Sequence, residues 1–126
     1  MKVYIKNSSI PDGGRGVFAD DKIKAGEVIE AAPILVLEFN EFIDSNWNLL
    51  FEYYFWLDDY VVWALGYGSL YNHSSDPNCK YEISKEDKTI TFTALREIKR
   101  DEEILFDYKQ DSDSDLPLWF ERAENI

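Results

Sequence analysis

The chain is poor in the residues that staple or ligate. It has one cysteine and one histidine among 126 residues, which excludes an internal disulfide and leaves a lone His beside a lone Cys as a poor metal site, because zinc wants three or four ligands. Basic residues are scarce too: 13 Lys and Arg against 25 Asp and Glu give a formal net charge of −12. That balance repels a phosphate backbone, so direct nucleic-acid binding is not expected, and it draws in a cationic partner or simply keeps the protein soluble. No apolar run reaches membrane-spanning length, and no membrane role is expected. No basic-then-apolar leader opens the sequence, and with one cysteine the expected setting is a reducing interior compartment: bacterial cytoplasm, nucleus or host cell.

What is abundant is aromatic. Four Trp, eight Tyr and eight Phe in a chain with 45% hydrophobic residues describe a folded globule whose rings exceed the needs of a small core. The length fits a single core. Val3 to Lys6 alternates as a strand, Pro11-Asp12-Gly13-Gly14-Arg15-Gly16 breaks it, and Val17-Phe18-Ala19 resumes. Neither a helix nor a Walker lysine follows these glycines, which removes the phosphate-cradling readings and leaves a hairpin turn or a backbone close to some other ligand.

Ile23 to Glu30 carries a turn into a strand that continues through Ala31 to Leu37, with a partial echo at Ile98 to Leu105. Phe51 to Trp56 and Val61 to Ala64 flank Asp58-Asp59 as a hairpin. Lys80 to Ser84 and Thr89 to Ala94 make another, turning at Lys85 to Lys88, and Glu103 to Tyr108 is the last strand-like piece. Many short strands, little helix and no βαβ alternation predict a mostly β fold. Residues 110–115 form an acidic spacer, and Leu116 to Phe120 is apolar enough to dock back on a body spanning 1–109.

The only His and the only Cys both fall in Tyr71-Asn72-His73-Ser74-Ser75-Asp76-Pro77-Asn78-Cys79, a run of turn formers that reads as a surface loop. In order along the chain stand Gly13-Gly14-Arg15-Gly16-Val17-Phe18-Ala19, this loop, and Glu103-Ile104-Leu105-Phe106-Asp107-Tyr108. Together they resemble the SET-domain protein-lysine methyltransferases, most of all the minimal viral and bacterial forms. The resemblance implies a β-clip fold of several small curved sheets, with a pseudoknot in which the last strand threads the loop near Asn72 and His73.

By the same resemblance Gly13, Gly14, Arg15 and Gly16 offer backbone to S-adenosyl-L-methionine, and Asn72 and His73 hold it through main-chain contacts. Tyr108 falls on the catalytic tyrosine, Phe106 on the position that influences how many methyl groups the lysine receives, and Tyr53 on a tyrosine lining the lysine channel. Trp119 is the candidate for covering the adenine face, with a hydrophobic plug on the core edge as the equal alternative.

Three departures from the family pattern stand out. Ser75 replaces a cysteine that many members carry. The three-cysteine zinc tail is absent, so Leu116 to Phe120 or a second copy in a homodimer must close the channel. Asp101 stands where glycine is usual, which predicts a turn built differently. The implied activity is methyl transfer to a lysine of a basic protein such as a histone or histone-like protein. The alternative is an inactive SET-like module that captures cationic or methylated lysine by cation–π contact.

Overall fold

Strand β1 (Val3–Asn7) and strand β2 (Arg15–Ala19) pair antiparallel around the glycine turn, with Tyr4 opposite Phe18 and Asn7 opposite Arg15. The computed structural model describes residues 1–11, 13–39, 41, 54–57 and 60–108. Among these, β3 (Val28–Glu38), β4 (Tyr54–Leu57), β5 (Tyr60–Ala64), β7 (Cys79–Ser84) and β8 (Thr89–Ala94) form a sheet in the order β4-β5-β3-β8-β7. The expected hairpins β4–β5 and β7–β8 are both present and antiparallel. The third sheet has only two short members, β6 (Asn72–His73) and β9 (Leu105–Phe106), paired parallel.

Strand β3 is central because it serves two partners in succession. Val28 to Pro33 pair with β8, and Ile34 to Glu38 pair with β5. Pro33, which cannot donate to a ladder, sits at the changeover, and its carbonyl accepts from Leu65 N–H at 2.9 Å. A register shift between Val28 and Glu30 inserts one extra residue, so consecutive Ile29 and Glu30 are both buried where a regular strand would alternate.

The echoed segments meet each other. Ile23 and Ile98 exchange backbone hydrogen bonds at 2.9 and 2.8 Å and are both buried in the core. Their turns are built alike, which corrects the expectation for Asp101: this residue takes φ +69°, beside Gly26 at φ +82°. Aspartate tolerates the left-handed region better than most side chains, and Tyr4 Oη donates to its Oδ1 at 2.8 Å.

The threading expected at the loop is present. Leu105 and Phe106 run between β6 on one side and Asn78 on the other, with Ser74 N–H donating to the Phe106 carbonyl and Asn78 N–H to the Leu105 carbonyl, each at 3.1 Å. The Asn78 side chain is 1% exposed, and its Oδ1 accepts from Leu105 N–H at 2.8 Å while Nδ2 donates to the Glu103 carbonyl at 2.8 Å and to Glu102 Oε2 at 3.2 Å. Every polar atom of this buried amide is therefore used, as burial demands. The expected C-terminal segment of residues 110–126 lies outside the described residues.

Asn78→Ala should destabilise the protein by about 2–4 kcal/mol, because it orphans a buried N–H and a buried carbonyl at once. Urea unfolding checks this. Burial pushes the Glu102 carboxyl up, but hydrogen bonds from Lys99 N–H, Asn78 Nδ2 and Arg96, with the Arg96 charge, outweigh it and hold the group below its usual value. A depressed folded value means the contribution is complete above the unfolded carboxylate pKa of about 4.3 and fades as pH falls through the folded one. Glu102→Gln should therefore flatten the acid limb of a stability–pH curve below about pH 4, as measured by thermal melts.

Candidate active site

The three stretches singled out in the sequence are brought together by side-chain hydrogen bonds from Asn72. Asn72, on β6, donates from Nδ2 to the Arg15 carbonyl at 3.1 Å and to Glu103 Oε2 at 2.8 Å. The other oxygen of Glu103 accepts from Ser8 Oγ at 2.7 Å, and Glu103 forms a β-bridge with Phe18. One carboxylate and one amide thus tie the glycine segment, the His73 loop and the last strand. Gly16 is a necessity here, since a Cβ at that position would fall on the Glu103 carboxylate and 3.1 Å from Asn72 Nδ2.

Gly13 and Gly14 build the turn itself. Gly13 N–H donates to the Ile10 carbonyl at 3.0 Å, and the Gly14 carbonyl accepts from Ser8 N–H at 2.8 Å. Gly14 has φ +60°, and nothing lies within 4 Å of where its Cβ would be. Gly14 therefore presents open backbone beside Arg15, whose carbonyl Asn72 binds.

Tyr108 closes the other side. Its backbone N–H donates to His73 Nδ1 at 3.0 Å, and its hydroxyl donates to the Tyr71 carbonyl at 3.0 Å. The first bond fixes the histidine: Nδ1 is an acceptor, so a neutral ring carries its proton on Nε2. His73 Nδ1 also lies 3.7 Å from Asp107 Oδ1, but an Nδ1 already occupied as acceptor does not form an ion pair there. His73 thereby holds the main chain of the tyrosine.

Phe106 is 2% exposed and sits among rings, with centroids 4.9 Å from Tyr108, 5.4 Å from Phe55 and 5.4 Å from Tyr81. Tyr71, Phe55 and Phe92 complete the cluster, Tyr71 and Phe92 at 4.4 Å. Tyr53 and Trp119 lie outside the described residues. Cys79 is fully buried, and burial pushes its thiol up to about 12, so it takes no part as a nucleophile.

Two residues were given no role by sequence reasoning. Glu30 is 4% exposed, with Oε1 accepting from Tyr71 Oη at 2.8 Å and Oε2 from Tyr67 N–H at 2.9 Å. Tyr71 is almost fully buried, and burial followed by the Glu30 charge and hydrogen bond push its phenol up. A single acid inside an apolar strand was the available signal for Glu30. No local pattern marks Tyr71.

Against this geometry the comparisons with known proteins are consistent. The family model described as SET domain matches residues 14–109, and the chain belongs to the SET-domain family. A Schizosaccharomyces pombe histone-lysine N-methyltransferase, H3 lysine-37 specific, is 36% identical over 110 residues, which is 86% of this chain and 71% of that protein. Human histone-lysine N-methyltransferase 2B is 36% identical over 119 residues, 82% of this chain but 4% of the human protein. An Aspergillus oryzae H3 lysine-4 specific enzyme is 33% identical, and this chain spans 10% of its length.

Among solved structures, a Plasmodium falciparum protein provisionally described as a histone methyltransferase superposes with a TM-score of 0.71 at 36% identity, over 88% of this chain and 96% of that one. A chain of ctPRC2 bound to S-adenosylmethionine superposes with a TM-score of 0.72 at 23% identity, over 98% of this chain and 16% of that one, and shares the fold. The fold and family expected from the three stretches are thus met, although these relatives are eukaryotic rather than viral or bacterial.

The donor at His73 gives a direct check. A nitrogen NMR spectrum of the His73 ring near neutral pH should show Nε2 protonated and Nδ1 bare. A ring with its proton on Nδ1 would contradict the bond from Tyr108 N–H.

Proposed function

We propose that this chain is an S-adenosyl-L-methionine-dependent protein-lysine N-methyltransferase acting on a basic protein, with a histone as the leading substrate. The observation that carries the reading is the tie of Asn72 to Arg15 and Glu103, with His73 bound to Tyr108 N–H, which joins the glycine segment, the His73 loop and the last strand. Family membership supports the reaction, and the likeness to histone-lysine N-methyltransferases favours turnover over mere capture of a methylated lysine. The net charge of −12 suits a lysine-rich substrate.

The residues present fit the cofactor. Gly14 offers a backbone with no neighbour within 4 Å on its side-chain face, and the Asn72–Arg15 bond sets that segment beside β6. The Tyr71 carbonyl and the Tyr108 oxygen, 3.0 Å apart, are acceptors of the kind that suits a cationic sulfonium. Gly13, Gly14, Arg15, Gly16, Asn72 and His73 would hold it, with Trp119 over the adenine and Leu116 to Phe120 or a second copy closing the site. When bound, the cofactor supplies an electrophilic methyl group.

What remains for the chain is to present a neutral amine in line, with reacting atoms about 3 to 3.5 Å apart. Lysine has an unperturbed pKa of about 10.4, so deprotonation at pH 7 costs roughly 4 to 5 kcal/mol. The ring cluster around Phe106 lowers that cost by excluding water from the ammonium. No strong general base is needed, which agrees with a His73 whose Nδ1 is committed to Tyr108 N–H. Tyr108 is the catalytic residue in this scheme: donation to the Tyr71 carbonyl fixes the direction of its hydroxyl, and the oxygen so placed orients the amine. Tyr53 would line the lysine channel.

Transfer of labelled methyl from S-adenosyl-L-methionine to a histone mixture or a lysine-rich peptide is expected for the wild type, and Tyr108→Phe should lower kcat by about 100-fold. No transfer by the wild type would end the enzyme reading, and an undiminished Tyr108→Phe would end the assignment of Tyr108. Because Phe106 has no hydroxyl to tether the amine, mass spectrometry should find dimethyl and trimethyl products, and Phe106→Tyr should shift them toward monomethyl. Only monomethyl product from the wild type at long times contradicts this.

A further inference from the structure

We infer that Glu30 and Tyr71 are positioning residues for the Tyr108 hydroxyl: a buried carboxylate holds Tyr71 from behind, so that the Tyr71 carbonyl stands where Tyr108 must donate. The inference rests on the methyltransferase reading above. It begins with a feature that no core needs. The bulge between Val28 and Glu30 turns a carboxylate into the interior of β3, at 4% exposure, and an ionised group is retained in such a place only when fully hydrogen-bonded. Both oxygens are used, Oε1 by Tyr71 Oη at 2.8 Å and Oε2 by Tyr67 N–H at 2.9 Å.

The two bonds clamp both ends of the segment that leads into β6. At one end Gly66 takes φ +66°, and a Cβ there would lie 2.5 Å from Glu30 Oε2, so the chain passes the carboxylate only as glycine. At the other end Tyr71 is 1% exposed, with its ring against Phe92 at 4.4 Å and its carbonyl accepting from Tyr108 Oη at 3.0 Å. A tyrosine fixed at its hydroxyl and along its ring leaves its own carbonyl little freedom. A phenylalanine would fill the same volume, but would leave Glu30 Oε1 without its donor. The phenol's one proton is then directed consistently, and the lone pairs of Tyr108 face away from Tyr71.

Bulges are found where a strand must re-aim a side chain beside a functional site, and this one aims Glu30 at the residue adjoining Asn72. The arrangement predicts a particular pattern in turnover. Loss of the clamp should misplace the hydroxyl while Asn72 stays tied to Arg15 and Glu103, so kcat falls while KM for S-adenosyl-L-methionine holds.

The test measures labelled-methyl transfer, KM for the cofactor and the thermal midpoint for the full chain and for Tyr71→Phe, Glu30→Leu and Glu30→Gln. Tyr71→Phe and Glu30→Leu should lose about 10-fold or more in kcat, the scale of a small misplacement at a reacting centre. Cofactor KM should stay within about threefold, since losing an interaction made only in the transition state lowers kcat and leaves KM. Glu30→Gln should retain clearly more kcat than Glu30→Leu, because its amide oxygen still accepts from Tyr67 N–H and its amide nitrogen can donate to Tyr71 Oη, although the phenol proton then loses its acceptor.

The inference is overturned if Tyr71→Phe turns over at the wild-type rate, if Glu30→Gln is as impaired as Glu30→Leu, or if KM rises in step with the fall in kcat. Should Glu30→Leu not fold, Tyr71→Phe, which removes one oxygen atom, decides alone. A wild type that transfers no methyl overturns the methyltransferase reading and this inference together, whereas an active wild type with an undiminished Tyr71→Phe overturns this inference only.

Discussion

Passage of Leu105 and Phe106 between β6 and Asn78 is the constraint on which the remaining geometry depends. Parallel pairing of two short strands is weak by itself. Here it is reinforced from the opposite side by the Asn78 side chain, which binds Leu105 N–H and the Glu103 carbonyl. Threading is rare in proteins because it demands that a loop be closed around a chain already in place. Its reward is local: from a segment of six residues Glu103 reaches Asn72, Phe106 enters the ring cluster and Tyr108 reaches the Tyr71 carbonyl.

The site is organised by sharing acceptors and donors rather than by charge pairs. Asn72 divides its amide between Arg15 and Glu103, His73 gives its Nδ1 to Tyr108 N–H, and the Tyr71 carbonyl takes the Tyr108 proton. Such bonds in a partly buried setting fix direction, which point charges do not. They also account for how a chain with one histidine and one buried, unreactive cysteine can serve as a catalyst. The chemistry needs placement and a dry channel, and a proton acceptor of high strength has no task in it.

Much of the fold was legible because strand and turn residues announce themselves. The hairpins at β4–β5 and β7–β8 followed from alternation and turn composition, and the glycine turn between β1 and β2 from Gly13 to Gly16. Long-range pairings were not legible from pattern. β6 has two residues, Asn72 and His73, and nothing in their types predicts pairing with Leu105 and Phe106. Threading came only through family resemblance. Asp101 misled because glycine is the usual left-handed residue, yet aspartate entered the same conformation with support from Tyr4. Glu30 escaped notice because the bulge that turns it inward is set by pairing with β8, which a local reading does not contain.

Hydrogen exchange of the full chain with and without S-adenosyl-L-homocysteine, the demethylated product, tests most directly whether three separated stretches make one cofactor site. The account predicts added protection at residues 13–16, 72–74 and 106–108 together, with the β7–β8 hairpin turn at 85–88 unchanged. Protection confined to one of the three stretches, or absent from all of them at saturating ligand, would contradict it.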